Sequence, residues 1–158
     1  MKKAGKNRML GCRETPIGRI GIESDGKHIV ALYLRCDCRE DSAADPLLAE
    51  AFRQLDEYFA GTRRAFDLPL KPAGTPFQLR VWEALRRIPY GKTASYGEIA
   101  AAVGCPKGSR AVGMANNRNP IAIFIPCHRV IGANGALSFV AEMANGGNIV
   151  NVAFIVTE

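Results

Sequence analysis

The stretch from Arg63 to Pro76, RRAFDLPLKPAGTP, constrains the chain more than any other, because it carries three prolines and a glycine. Proline fixes its own φ and has no amide hydrogen to give, so neither a helix interior nor a central strand can run through such a segment. It reads as a linker or an extended crossing between two domains. The boundary is placed near Gly74, dividing the chain into residues 1–73 and 74–158.

The two sides carry different patterns. Before the boundary, IGRIGIES (17–24) and HIVALYLR (28–35) read as strands, and Asp25-Gly26 between them is a hairpin turn signal. DPLLAEAFRQLDEYFAGT then reads as a helix. Asp45 can cap it, Pro46 fits its first position, and Leu48, Phe52, Leu55 and Phe59 form one apolar face before Gly61. After the boundary, Thr75-Pro76-Phe77-Gln78 is a capping box that opens a helix with Phe77, Val81, Trp82 and Leu85 inward. Ser95-Tyr96-Gly97-Glu98 is a second capping box, opening a short helix that should stop at Gly104. Pro106 and Gly108 mark a turn, and Ser109 can cap a further helix that carries Arg110 at its start. Two short helices joined by a tight turn read as a helix-turn-helix. The alternative is an ordinary helical hairpin with Arg110 as a solvated end charge.

Composition narrows the partners. A formal charge of +6 favours an anionic partner such as nucleic acid or a membrane surface. No segment reaches the roughly 20 apolar residues of a membrane span, and MKKAGKNRMLGC lacks the apolar core of a secretory leader despite its Leu-x-Gly-Cys pattern. A cytoplasmic protein is expected. The five cysteines, Cys12, Cys36, Cys38, Cys105 and Cys127, are an odd number without framework spacing, so reduced thiols are expected.

One of them has unusual company. IAIFIPCHRVIG (121–132) is an apolar, strand-like run that ends in Pro126, Cys127, His128 and Arg129. A free thiol has a pKa near ~8.5 and needs a base or a positive neighbour to act as a nucleophile. Adjacent side chains of a continuing strand face opposite ways, so His128 reaches Cys127 only through a change of backbone direction, which Pro126 permits, or through a water.

SRAVGMANNRNPIAIFIPCHRVIGANG (109–135) closely resembles the signature of the O6-alkylguanine-DNA alkyltransferase family, in which Pro-Cys-His-Arg-Val follows Arg-Ala-Val-Gly and Asn-Pro. The resemblance extends back through GTPFQLRVWEALRRIPYGKTASYGEIA and more loosely to TPIGRIGI, and reaches forward to about Leu137. It implies an α/β protein of the α+β kind. The N-terminal domain would be ribonuclease-H-like with antiparallel strands, and the C-terminal domain winged-helix-like, carrying the helix-turn-helix. The implied activity is direct reversal of alkylation damage by a monomer acting on double-stranded DNA, without a cofactor. Cys127 would take the alkyl group from O6 of a flipped guanine, irreversibly and once per molecule. Arg110 would fill the gap left in the duplex, and Tyr96 would assist rotation of the base and donate a proton as guanine leaves. Ser95, Ser109 and Ala111 are the further DNA contacts. His128 would draw the thiol proton through a water, and Asn119 would tie the helix end to the reactive loop. Pro126 and Arg129 are structural, with Arg129 either in an ion pair that holds the loop or lowering the thiol pKa by its field.

The resemblance fades after Leu137. Phe139, Val140, Glu142 and Met143 stand where the family has its Gly-Tyr-x-Gly-Gly stretch, and Phe154 falls where a histidine-orienting glutamate belongs. From Val130 to Glu158 there is no Lys or Arg. Residues 139–158 are therefore read as an atypical tail, with Glu142 or Glu158 as substitute carboxylates. This departure admits a second reading, a weakly active or non-catalytic sensor of alkylated DNA; a third is a helix-turn-helix regulator with an incidental thiol. Cys12, His28, Cys36 and Cys38 match zinc spacings poorly, so no metal is expected.

Overall fold

The computed structural model describes residues 8–37 and 45–132. The expectations for the tail, for Glu142 and Glu158 and for Cys38 lie outside them. The chain divides into two compact units, Met1–Pro72 and Ala73–Glu158.

The first unit is built on a three-stranded antiparallel sheet in the order β1 (Met9–Thr15), β2 (Gly18–Ser24), β3 (Ile29–Leu34). β1 is absent from the sequence reading: its residues mix polar and apolar types without clear alternation, and the leader-like Leu10-Gly11-Cys12 lies inside it. The β2–β3 turn works as its residues suggest. Gly26 adopts φ +93°, and the Asp25 carboxylate accepts the backbone N–H groups of Lys27 and His28 at 2.8 and 2.7 Å. Helix α1 (Pro46–Phe59) begins at Asp45, whose side chain accepts from the Leu47 N–H. It buries Leu48, Ala51, Phe52, Leu55 and Tyr58, while Phe59 is only half-buried, so Tyr58 takes the core place expected for Phe59.

The first half of the proline-rich segment is not a loose linker. Ile29 N–H donates to the Pro69 carbonyl at 2.7 Å and Lys71 N–H to the Ile29 carbonyl at 2.9 Å, so Leu70 runs parallel to the edge of β3. The Gln54 amide of α1 grips Asp67 through both its N–H and its carbonyl. The prolines fall where no ladder hydrogen bond is asked of them, as an edge permits. Cys36, Cys105 and Cys127 carry thiols, whereas Cys12 is disulfide-bonded, contrary to the expectation of reduced cysteines.

The second unit packs α2 (Pro76–Arg86), α3 (Tyr96–Ala102) and α4 (Ser109–Asn117) around a core of Val81, Trp82, Leu85, Ile99, Ala100, Val112 and Ala115. Both capping boxes form, Thr75 with Gln78 and Ser95 with Glu98. Gly104 ends α3 at φ +82°, in the left-handed region that favours glycine. α4 differs from expectation at its start: Gly108 is the cap, without a side-chain bond, and Ser109 is the first helical residue. The Ser109 hydroxyl is thus not used by its own helix.

Candidate active site

The apolar run before Cys127 is not a strand. Residues 121–130 are all buried, and 121–127 hold no strand, only isolated bridge positions at Ile121, Ala122 and Ile125, the last two paired with each other. Two three-residue turns fold it instead. Phe124 N–H donates to the Ala122 carbonyl at 2.9 Å across Ile123, which holds φ +73°; Cys127 N–H donates to the Ile125 carbonyl at 2.8 Å across Pro126 at φ −80°, ψ 65°. The second is an inverse γ-turn that proline's fixed φ favours, while the first is the rarer, strained kind. A β-branched residue at positive φ costs on the order of 1–3 kcal/mol and persists only where its surroundings over-determine it.

Asn119 supplies much of that determination. Its amide nitrogen donates to the Ile125 carbonyl at 2.8 Å and its oxygen accepts the Ile121 N–H at 3.0 Å, so one side chain staples both ends of the loop. The turn continues into a 3₁₀ segment, Cys127–Arg129, and then into β5 (Val130–Ile131), which pairs in parallel with β4 (Ala94–Ser95). Through that ladder Ser95 and Tyr96, at the start of α3, are brought alongside the chain that leaves Cys127. The change of backbone direction that a Cys-His partnership requires is therefore present.

The thiol itself is sealed. Cys127 is 1% exposed and burial pushes it up to about 11, against smaller opposing effects from the Asn119 side chain and from the Cys127 and His128 amides. His128 is 3% exposed; burial, and then the neighbouring Arg129 charge, take it down to about 3. At neutral pH the pair is thiol and neutral imidazole. His128 Nε2 has no hydrogen-bond partner among the described residues. Arg129, 6% exposed, donates from one guanidinium nitrogen to the Ile88 carbonyl at 2.7 Å and lies 5.8 Å from the centre of the Tyr90 ring. These contacts tie the reactive turn to the segment after α2.

The other candidates gather at the starts of α3 and α4. A Cβ placed on Gly113 would touch the Tyr96 ring at 3.8 Å, and one on Gly97 would lie 3.8 and 3.9 Å from the Ser95 and Ser109 hydroxyls. Small residues here let α4 approach the tyrosine. Arg110 and Ala111 are exposed on the first turn of α4, with Met114 one turn on, 60% exposed. A residue passed over in the sequence is Asn116. It is fully buried on the last turn of α4 and its amide donates to the Cys127 carbonyl at 3.3 Å. Its position three residues before Asn119, on the adjoining turn, is the signal that could have found it.

Residues 10–72 match the ribonuclease-like domain of 6-O-methylguanine DNA methyltransferase, and residues 76–149 match the DNA binding domain of the same protein. A methylated-DNA--protein-cysteine methyltransferase of Methanosarcina acetivorans is 66% identical over 131 residues, covering 79% of this chain and 84% of the relative. The chain belongs to this methyltransferase family. The constitutive enzyme of that name from Bacillus subtilis is 53% identical over 134 residues, 79% of this chain and 81% of its own. A crystal structure of Mycobacterium tuberculosis OGT in complex with DNA superposes with a TM-score of 0.74 at 43% identity, covering 82% of this chain and 81% of that one. The DNA-binding match runs past Leu137 to residue 149, further than the Cys127 signature alone extends.

Proposed function

We propose that the protein repairs DNA by direct reversal, moving the alkyl group of O6-alkylguanine irreversibly onto Cys127. The sulfur–carbon bond forms as the carbon–O6 bond breaks, and guanine leaves after gaining a proton. The observation that carries this reading is the sealed thiol of Cys127, held by the Asn119-stapled turn next to the start of a helix-turn-helix.

A base stacked in duplex DNA does not reach a thiol that is 1% exposed. Flipping the alkylated guanine out of the stack solves this, at a cost of a few kcal/mol that damaged pairing lowers. Arg110, exposed on the first turn of α4, occupies the vacated space; its planar cationic head suits both stacking and hydrogen bonding. Ser95, Ser109 and Ala111 line the same approach. Tyr96, beside Gly113, gives its proton to the departing base. His128 takes the thiol proton through a water, so no external base is required. One helix-turn-helix and one thiol make a complete site, which supports action as a monomer. The free thiol that the reaction needs at Cys127 supports a cytoplasmic location, while the disulfide at Cys12 weighs against it.

The test is intact mass after incubation with duplex DNA carrying O6-methylguanine. A gain of one methyl group per chain is expected, and none in Cys127→Ser. Unchanged mass in the wild-type protein, with DNA bound, would overturn transfer in favour of sensing.

A further inference from the structure

We infer that Asn116 is a positioning residue for the nucleophile, acting on Cys127 through the peptide that joins Cys127 to His128. The Asn116 amide donates to the Cys127 carbonyl at 3.3 Å. That carbonyl and the His128 N–H belong to one rigid peptide plane, so fixing the first fixes the direction of the second. The His128 N–H is among the groups that favour the thiolate of Cys127. A hydrogen bond accepted at the carbonyl also polarises the peptide and strengthens its N–H as a donor. Asn116, with the Val130 N–H that donates to the same carbonyl, thus sets the aim and the strength of a dipole facing the sulfur, and does so from α4, the helix that bears Arg110.

A second observation separates this from simple packing. Asn116 Oδ1 is buried and has no hydrogen-bond partner among the described residues. An orphaned buried acceptor is a cost to stability, and an apolar residue of similar size would avoid it. Leucine would fill the site without that cost. A buried asparagine kept with half its hydrogen-bonding capacity unused fits a task at the thiol better than a task in the core.

The role in repair rests on the proposed alkyl transfer, but the effect on the thiol can be read without DNA. Asn116→Leu is expected to melt at or above the wild-type temperature and to bind duplex DNA as the wild type does. Its alkyl transfer should be roughly tenfold slower or more, and iodoacetamide labelling at pH 8.5, followed at the Cys127 peptide by mass spectrometry so that Cys36 and Cys105 are read apart, several-fold slower. Asn116→Gln, which keeps the amide on a longer arm, should recover part of both rates. Wild-type labelling and transfer in a folded Asn116→Leu would overturn the inference, and so would losses that merely track a fall in melting temperature. Should Asn116→Leu fail to fold, Asn116→Ser is read by the same two rates per folded molecule, with the same outcomes deciding. A wild-type protein that labels normally but takes no alkyl group from DNA would sink the repair reading, leaving labelling of the variants to decide for Asn116.

Discussion

His128 and Cys127 are uncharged for the same reason, burial, and this shapes the pH behaviour of the site. With the thiol at about 11 and the imidazole at about 3 no ion pair forms beforehand; on the proposed mechanism His128 takes the proton only as the sulfur attacks, and that step changes no net protonation of the protein. The alkyl-transfer rate should therefore stay flat between about pH 5 and 8 in single-turnover experiments. In His128→Gln the proton must go to solvent, and the rate should climb roughly tenfold per pH unit over the same range. A wild-type rate that already climbs this way would remove His128 as the base. The same burial affects stability with a definite sign. A histidine depressed in the folded state stabilises above its unfolded value, near ~6.5, and that stabilisation is lost as pH falls towards about 3. Urea midpoints should drop through this acid window, and less so in a folded His128→Gln.

Elements show how caps and turns place these residues. Gly74 sits where the proline-rich segment meets α2, and a Cβ there would come within 2.5 Å of the Trp82 ring, whose indole N–H is committed to the Ala115 carbonyl at 2.8 Å. Trp82 cannot retreat without releasing α4. Gly74→Ala is expected to destabilise by about 1–3 kcal/mol, seen as a lower denaturation midpoint. Thr75→Ala, which removes a capping box, should cost about 1 kcal/mol in the same measurement. On α4, Arg110→Ala should slow repair of duplex DNA by roughly tenfold or more while leaving reaction with the free alkylated base nearly unchanged. Equal losses on both substrates would count against a role in the duplex. Helices α2 and α3 were legible in the sequence because Thr75-Pro76, Ser95 with Glu98, and Gly104 mark their ends, whereas the start of α4 carries no side-chain cap. β1 was not, since its partner β2 rather than its own pattern makes it a strand.

For the whole molecule, a charge of +6 predicts that duplex binding weakens steadily with salt, log Kd rising linearly with log salt concentration. Binding indifferent to salt would show that phosphate contacts do not anchor the protein. By itself the sequence determined the two capping boxes, the helices they open, and the family to which the Cys127 signature points. All of these rest on local signals, whether proline and glycine punctuation, side-chain caps or a contiguous motif. Only the tertiary structure decided how the thiol is presented. The run from Ile121 to Ile125 has the composition of a buried strand, and nothing local separates that from a buried turn. Asn119 and Asn116 choose the turn, by meeting the backbone groups of Ile121, Ile125 and Cys127 with hydrogen bonds that a strand would have sought from a neighbour. Burial on all sides then sets the ionisation of Cys127 and His128, because the desolvation that governs it comes from every element packed around the pair rather than from the residues beside them in the chain.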